Sequence, residues 1–144
     1  MTKPNIYQYA SALARVVASR SEDPYCKVGA VAFDKDNRII ATGYNGAAVG
    51  KSETLMTRNR EKRLRYVYHA EQNMCSLFRR GDVRWVFTTL SPCLSCLKLL
   101  DAHLVEFVVY DKPYEREDCS TLIKHINIGV YRLVNGAAVA IHPK

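Results

Sequence analysis

Long apolar runs are missing from this chain of 144 residues. No stretch reaches the ~18 consecutive apolar residues that a membrane-spanning helix needs. The opening segment, Met1-Thr2-Lys3-Pro4-Asn5, lacks the apolar stretch of a secretory leader. Both absences lead us to expect a cytoplasmic protein without a membrane partner. Internal repeats, low-complexity tracts and recognisable linkers are absent as well, so residues 1–144 are expected to form one domain. Acidic residues are scarce, 14 against 21 lysines and arginines, which leaves a net charge of +7. That surplus favours anionic partners without deciding between nucleic acids and nucleotides. Cysteines number five, an odd count that suits free thiols in a reducing compartment better than a disulfide framework. A hydrophobic content of 48% is nevertheless enough for a substantial core.

Two short fragments carry the chemistry. The first is His69-Ala70-Glu71, and the second is Pro92-Cys93-Leu94-Ser95-Cys96. Each alone is weak. Together, in this order and with proline in front, they match the His-x-Glu…Pro-Cys-x-x-Cys pattern of zinc-dependent base deaminases. One imidazole and two thiolates give zinc three protein ligands and leave its fourth position for water, whereas a structural zinc is closed by four. Glu71 is then free to move protons. In the chemistry expected here, zinc lowers the pKa of its water and Glu71 takes up a proton. The hydroxide so formed attacks an amidine-type carbon, and Glu71 delivers protons to the ring nitrogen and the departing ammonia.

Periodicity gives the expected order α-β-β-α-β-α-β-α-β-β. A helix is expected over 5–20, where Ile6, Tyr9, Leu13, Val16 and Val17 share a face. Strands over 28–33 and 38–43 form a hairpin, and a long loop runs from 43 to about 67. A helix over 69–80 is stopped by Gly81, and a strand covers 84–88. Ser91 reads as an N-cap with Pro92 at the first helical position, opening a helix to about His103. A strand over 105–110, a helix over 116–127 and strands 129–134 and 137–141 about an Asn135-Gly136 turn complete the chain. Strands joined through helices are expected to be parallel neighbours. The fold class is therefore α/β, a three-layer α/β/α sandwich whose mixed sheet has about five strands plus a C-terminal edge hairpin strand.

Other residues are read more plainly. Cys26, Cys75 and Cys119 are expected to be buried thiols, Trp85 a core residue, and His103, His125 and His142 ordinary histidines. The basic segment from Arg58 to Arg65 holds five bases and one acid. It is either a solvated face or a phosphate-facing wall, and it has little of the aromatic interleaving that single-stranded nucleic acids stack on. The segment from Tyr110 to Tyr114 follows a strand whose carboxyl end should lie beside the metal.

The chain resembles the deoxycytidylate (dCMP) deaminases of the cytidine deaminase-like superfamily. The resemblance rests on Val28-Gly29-Ala30, Gly43-Tyr44-Asn45-Gly46, His69 to Asn73, Pro92 to Cys96 and Asp111 to Tyr114. It implies the cytidine deaminase-like sandwich and hydrolysis of dCMP to dUMP, which feeds thymidylate synthesis. It implies zinc on His69, Cys93 and Cys96, with Glu71 as the proton shuttle. Around the substrate it implies Asn45 on the sugar hydroxyl, the Ala70 N–H on the base carbonyl, Tyr114 near the base or phosphate, and Val28 and Ser91 nearby. It further implies a homo-oligomer, typically a hexamer, activated by dCTP and inhibited by dTTP with Mg2+. Gly43, Tyr44 and Gly46, with Arg58, Arg60 and Lys62, are the candidate effector residues. The chain departs from the family pattern in having Ala47-Ala48-Val49-Gly50 where a proline is expected, and Tyr68 where a cysteine is common. The compact chain is similar to phage and viral members. The alternatives are a polynucleotide base deaminase, a deaminase that also accepts dCTP, another small-substrate deaminase of the superfamily (riboflavin-pathway, guanine or free cytidine), and a zinc-stabilised module without catalysis. The interval of 24 residues from Asn45 to His69 is longer than in tRNA adenosine deaminases, and the presence of Glu71 argues against the inactive module.

Overall fold

Asn5 starts the first helix. Its side-chain oxygen accepts the N–H groups of Tyr7 and Gln8, each at 2.9 Å, and the Gln8 side chain accepts the Asn5 N–H in return at 2.9 Å, which satisfies amides that no helical carbonyl can reach. The computed structural model describes residues 2–114 and 117–142. In it α1 spans Ile6–Ala18. It is followed by β1 (Gly29–Phe33), β2 (Ile39–Tyr44), a short 3-10 turn (Ser52–Met56), α2 (Arg60–Tyr66), α3 (Ala70–Cys75) and β3 (Trp85–Leu90). Then come α4 (Leu94–Ala102), β4 (Phe107–Lys112), α5 (Ser120–Ile123), β5 (Gly129–Val134) and β6 (Ala137–His142).

The six strands form one mixed sheet in the order β2-β1-β3-β4-β5-β6. β1 is antiparallel to both β2 and β3, β3-β4-β5 run parallel, and β6 returns antiparallel on β5. The expected rule of parallel neighbours therefore fails at one crossover. β2 and β3 do run parallel, but β1 lies between them. All five β1 residues are buried, as suits a strand paired on both edges and covered on both faces.

Helices cover the two faces and make the sandwich. On one face α1 places Ala10 and Ala14 against Val31, Phe33, Trp85, Phe87 and Val109. Trp85, as expected, is core: it is 1% exposed and stacks at 4.4 Å on Phe33 and at 5.4 Å on Phe107. On the other face Ala70, Met74, Leu97, Leu100 and Ile123 pack against Ala30, Val86, Val108 and Val130.

Several expected element bounds are corrected. α3 ends at Cys75 rather than near Arg80, and the Ser76 hydroxyl there donates to the Asn73 carbonyl at 2.6 Å. Gly81, with φ of 91°, turns the chain afterwards. The segment between Gly43 and residue 67 is not one loop, because α2 lies within it. Ser91 is not an N-cap. Cys93 holds that position, since Ser91 and Pro92 stay outside the helix and Cys93 is still extended at φ −72°, ψ 174°. The helix expected over 116–127 begins at a residue outside those described and reduces to Ser120–Ile123.

The approach of α3 to β2 depends on Gly43. A β-carbon there would meet the Ala70 carbonyl oxygen, and would lie 2.6 Å from the Met74 nitrogen. Both obstacles are backbone, so the helix itself would have to move. Gly46, three residues on, has nothing within 4 Å of that position. Gly43→Ala should therefore cost about 2–3 kcal/mol in urea unfolding, while Gly46→Ala should stay within about 0.5 kcal/mol of the parent. Equal effects would contradict this packing.

Candidate active site

Three side chains from two helix starts converge. His69 is the N-cap of α3, with its own N–H bonded to the Gln72 side chain at 2.7 Å. Cys93 is the N-cap of α4, and Cys96 lies one turn in. The preceding chain is pinned by a two-bond bridge: the Gly46 N–H donates to the Tyr68 carbonyl at 3.0 Å and the Tyr68 N–H to the Gly46 carbonyl at 2.7 Å. The Asn73 side chain donates to the Tyr44 carbonyl at 2.8 Å. The segment Gly43 to Gly46 thus fixes, through its backbone, where His69 and Glu71 stand.

His69 Nδ1 lies 3.4 Å from the Cys93 sulfur and 3.3 Å from the Cys96 sulfur. The three ligand atoms all fall within 4.8 Å of one another, and no other such group occurs among the described residues. Tetrahedral zinc with its usual Zn–S and Zn–N bonds would place nitrogen and sulfur ~3.5 Å apart, so the residues fit that ion. Without a cation the three groups share protons among themselves. Cys93 is drawn down to about 3, first by its hydrogen bond with Cys96, against burial, and then by His69 and Ser95. Cys96 is pushed far above the ordinary thiol range by the same shared bond and by burial. The bond to Cys93 raises His69 despite its burial. Two thiolates and a neutral imidazole can coexist here once a dication sits between them.

Glu71 is 4% exposed, and burial is the main cause that pushes its carboxyl up to about 7. His69 is an N-cap with extended backbone (ψ 157°), so it and Glu71 do not take the angular spacing of two residues inside a helix. Both line one cavity of about 410 Å3 together with Cys93, Ala70 and Asn45, a size usual for small-molecule sites. Val28, Ser91 and Tyr114 line it too. The Ser91 hydroxyl accepts the Tyr114 N–H at 2.5 Å, which fastens the segment after β4 to the strand that leads into Cys93.

The basic segment divides. Arg58 and Lys62 are exposed and lie outside the cavity wall, whereas Arg60 and Arg63 line it. Arg60 Nη2 donates to the Tyr114 hydroxyl at 3.3 Å. Arg63 lies 4.1 Å over the Tyr25 ring and donates to the Thr57 carbonyl at 3.1 Å. Sequence reasoning singled out neither Arg63 nor Asp23 and Tyr25, which also line the cavity. The three-residue spacing of Arg60 and Arg63 behind an Asn59 N-cap was the available signal for the arginine. Among the other thiols Cys75 is buried and pushed up to about 12 by burial. Cys119 is only partly buried, and Cys26 is exposed at the cavity, contrary to the buried thiol expected.

The sequence model described as the cytidine and deoxycytidylate deaminase zinc-binding region matches residues 4–112. The deoxycytidylate deaminase of Mus musculus is 34% identical over 121 residues, covering 77% of this chain and 68% of its own length. The deoxycytidylate deaminase of Mycobacterium phage D29 is 33% identical over 127 residues, covering 78% of this chain and 98% of its own. Among solved structures, dCMP deaminase from the cyanophage S-TIM5 superposes with a TM-score of 0.70 at 26% identity, covering 91% of this chain and 99% of that one.

Metal analysis tests the cluster. Cys96→Ala should lower zinc from about one ion per chain to near zero, and Cys75→Ala should leave it unchanged. Retention of zinc by Cys96→Ala would remove that sulfur from the ligand set.

Proposed function

Because this chain belongs to the cytidine and deoxycytidylate deaminase family, we propose that it converts dCMP and water to dUMP and ammonia. The observation that supports this substrate is a single cavity. It brings His69, Cys93 and Glu71 together with Arg60 and Arg63, which offers a metal site and a proton carrier for a base and two guanidinium groups for a phosphate. A zinc ion on His69 Nδ1 and the two sulfurs would supply the Lewis acidity that makes water nucleophilic near neutral pH.

The chain's own residues do the rest. Glu71 must accept one proton from water and pass it to the ring nitrogen, then accept the second proton from the same oxygen, now bonded to the ring carbon, and pass it to the departing amine as the C–N bond breaks. A carboxyl raised to about 7 is matched to both directions of transfer near neutrality. The Ala70 N–H, at the start of α3, meets the base carbonyl. Asn45 takes the sugar hydroxyl, and Val28 and Ser91 contribute to the cavity wall. Arg60 and Arg63 face the 5′-phosphate, and Tyr114, bonded to Arg60, closes that end. The relatives named deoxycytidylate deaminases and a cyanophage structure solved with dCMP and dUMP support the same substrate.

Cytoplasmic residence, assembly as a homo-hexamer and regulation by dCTP and by dTTP with Mg2+ belong to this proposal. The regulation is supported by the resemblance of the Gly43 to Gly46 segment, the assembly by the family resemblance as a whole, and the residence by the free thiols and the lack of long apolar runs. No helix among the described residues is long and apolar enough to cross a membrane.

Ammonia release tests the reading. dCMP should be turned over well ahead of deoxycytidine, dCTP and a deoxycytidine-containing oligonucleotide, and turnover of the oligonucleotide alone would sink it. Glu71→Gln should keep its zinc and lose at least about 1,000-fold in kcat. Arg60→Ala should raise KM for dCMP while leaving the slow turnover of deoxycytidine nearly unchanged; an equal loss on both would detach Arg60 from the phosphate.

A further inference from the structure

Asn45 lines the cavity, and both ends of its side-chain amide are held by the protein. Its Oδ1 accepts the Val28 N–H at 2.8 Å. Its Nδ2 donates to the Cys26 carbonyl at 2.8 Å and to Asp23 Oδ2 at 3.4 Å. Asp23 is 4% exposed, and its other oxygen accepts the N–H groups of Tyr25 at 2.8 Å and Cys26 at 3.2 Å. One carboxylate therefore touches the Asn45 amide directly and also fixes the peptide that holds it. Ser21 completes the clamp: its hydroxyl donates to the Asn45 carbonyl at 2.8 Å and accepts the Asp23 N–H at 3.2 Å. No cation pairs with Asp23 at ion-pair distance among the described residues, so its buried charge is met by N–H donors alone.

This arrangement admits one orientation of the amide. Flipped, Asn45 would aim an oxygen at the Asp23 carboxylate and the Cys26 carbonyl, and an NH2 at the Val28 N–H. Three favourable contacts would become three repulsive ones. In the orientation present, both amide hydrogens are taken by Cys26 and Asp23, and Oδ1 keeps one lone pair beyond its bond to Val28. Asn45 can then offer substrate an acceptor and nothing else. A hydroxyl satisfies it, and a phosphate oxygen does not.

We propose that Asp23 is a positioning residue which locks the Asn45 amide so that the site selects substrates carrying a hydroxyl donor at the 3′ position of the sugar. This rests on the dCMP reading above and goes beyond it by tying sugar discrimination to a carboxylate that need not touch the sugar.

The test compares kcat/KM for dCMP with that for 2′,3′-dideoxycytidine 5′-monophosphate, which keeps base and phosphate and lacks the donor. The parent enzyme should prefer dCMP by about tenfold or more. Asp23→Asn, close to isosteric, places an NH2 group where only acceptors stood; the preference should collapse towards one, with zinc content unchanged. Asn45→Ala should lose the same preference, and the double variant should lose no more than either single one. Should Asp23→Asn fail to fold, the ratio is read instead in Ser21→Ala, which frees the Asp23 amide and the Asn45 carbonyl together. A purely structural duty for Asp23 would slow both substrates alike, and a preserved ratio in an active variant overturns the inference while leaving the dCMP reading intact. A parent enzyme inactive on dCMP overturns both.

Discussion

The close approach of α3 to β2 is the constraint on which the site depends. Strand and helix come nearer than any side chain at position 43 would allow, because Gly43 faces the backbone of Ala70 and Met74. That contact sets the height of α3 over the sheet. His69 and Glu71, at its N-terminal end, inherit the setting, and so does their distance from Cys93 and Cys96, which arrive independently from β3 into α4. The bridge between Gly46 and Tyr68 and the bond from Asn73 to the Tyr44 carbonyl fix the remaining freedom of rotation and slide. A cluster built from two separate helix starts thus reaches ligand spacing without a covalent link.

The cavity holds titratable groups of both signs. Thiols, imidazole and the Glu71 carboxyl lie where burial penalises uncompensated charge, a cost that a dication between the ligands would offset. Arg60 sits at the outer wall, where its charge stays partly solvated. Arg63 is nearly buried but rests on the Tyr25 ring and the Thr57 carbonyl, contacts that a guanidinium tolerates better than an ammonium would.

The metal cluster was legible in the sequence because its spacing is local: His69 and Glu71 share one turn, as do Cys93 and Cys96. The strands were legible from apolar runs and from the Asn135-Gly136 turn. α2 was not, since Arg60 to Tyr66 has no apolar stripe and is charged almost all round. Its placement comes from Arg63 folding over Tyr25, a contact between residues far apart in the chain. The end of α3 was misjudged for a different reason. Gly81 is a genuine turn residue, but the helix had already yielded at Ser76, where a side chain competes for the backbone carbonyl. The insertion of β1 between β2 and β3 is a matter of sheet order, which apolar periodicity does not encode. Asp23 went unnoticed because its partners are backbone amides and one side chain 22 residues away.

The chain's one tryptophan has an optical consequence. Trp85 is stacked between Phe33 and Phe107, its indole N–H is bonded to Asn37 at 2.9 Å, and it packs in the α1 layer, across the sheet from the catalytic cavity. Its fluorescence is therefore an uncluttered gauge of that layer's integrity. Emission should stay blue-shifted while nucleotides come and go on the far face, and should move to the red only when α1 parts from the sheet. The molecule carries its own internal dye, indifferent to turnover and responsive to unfolding.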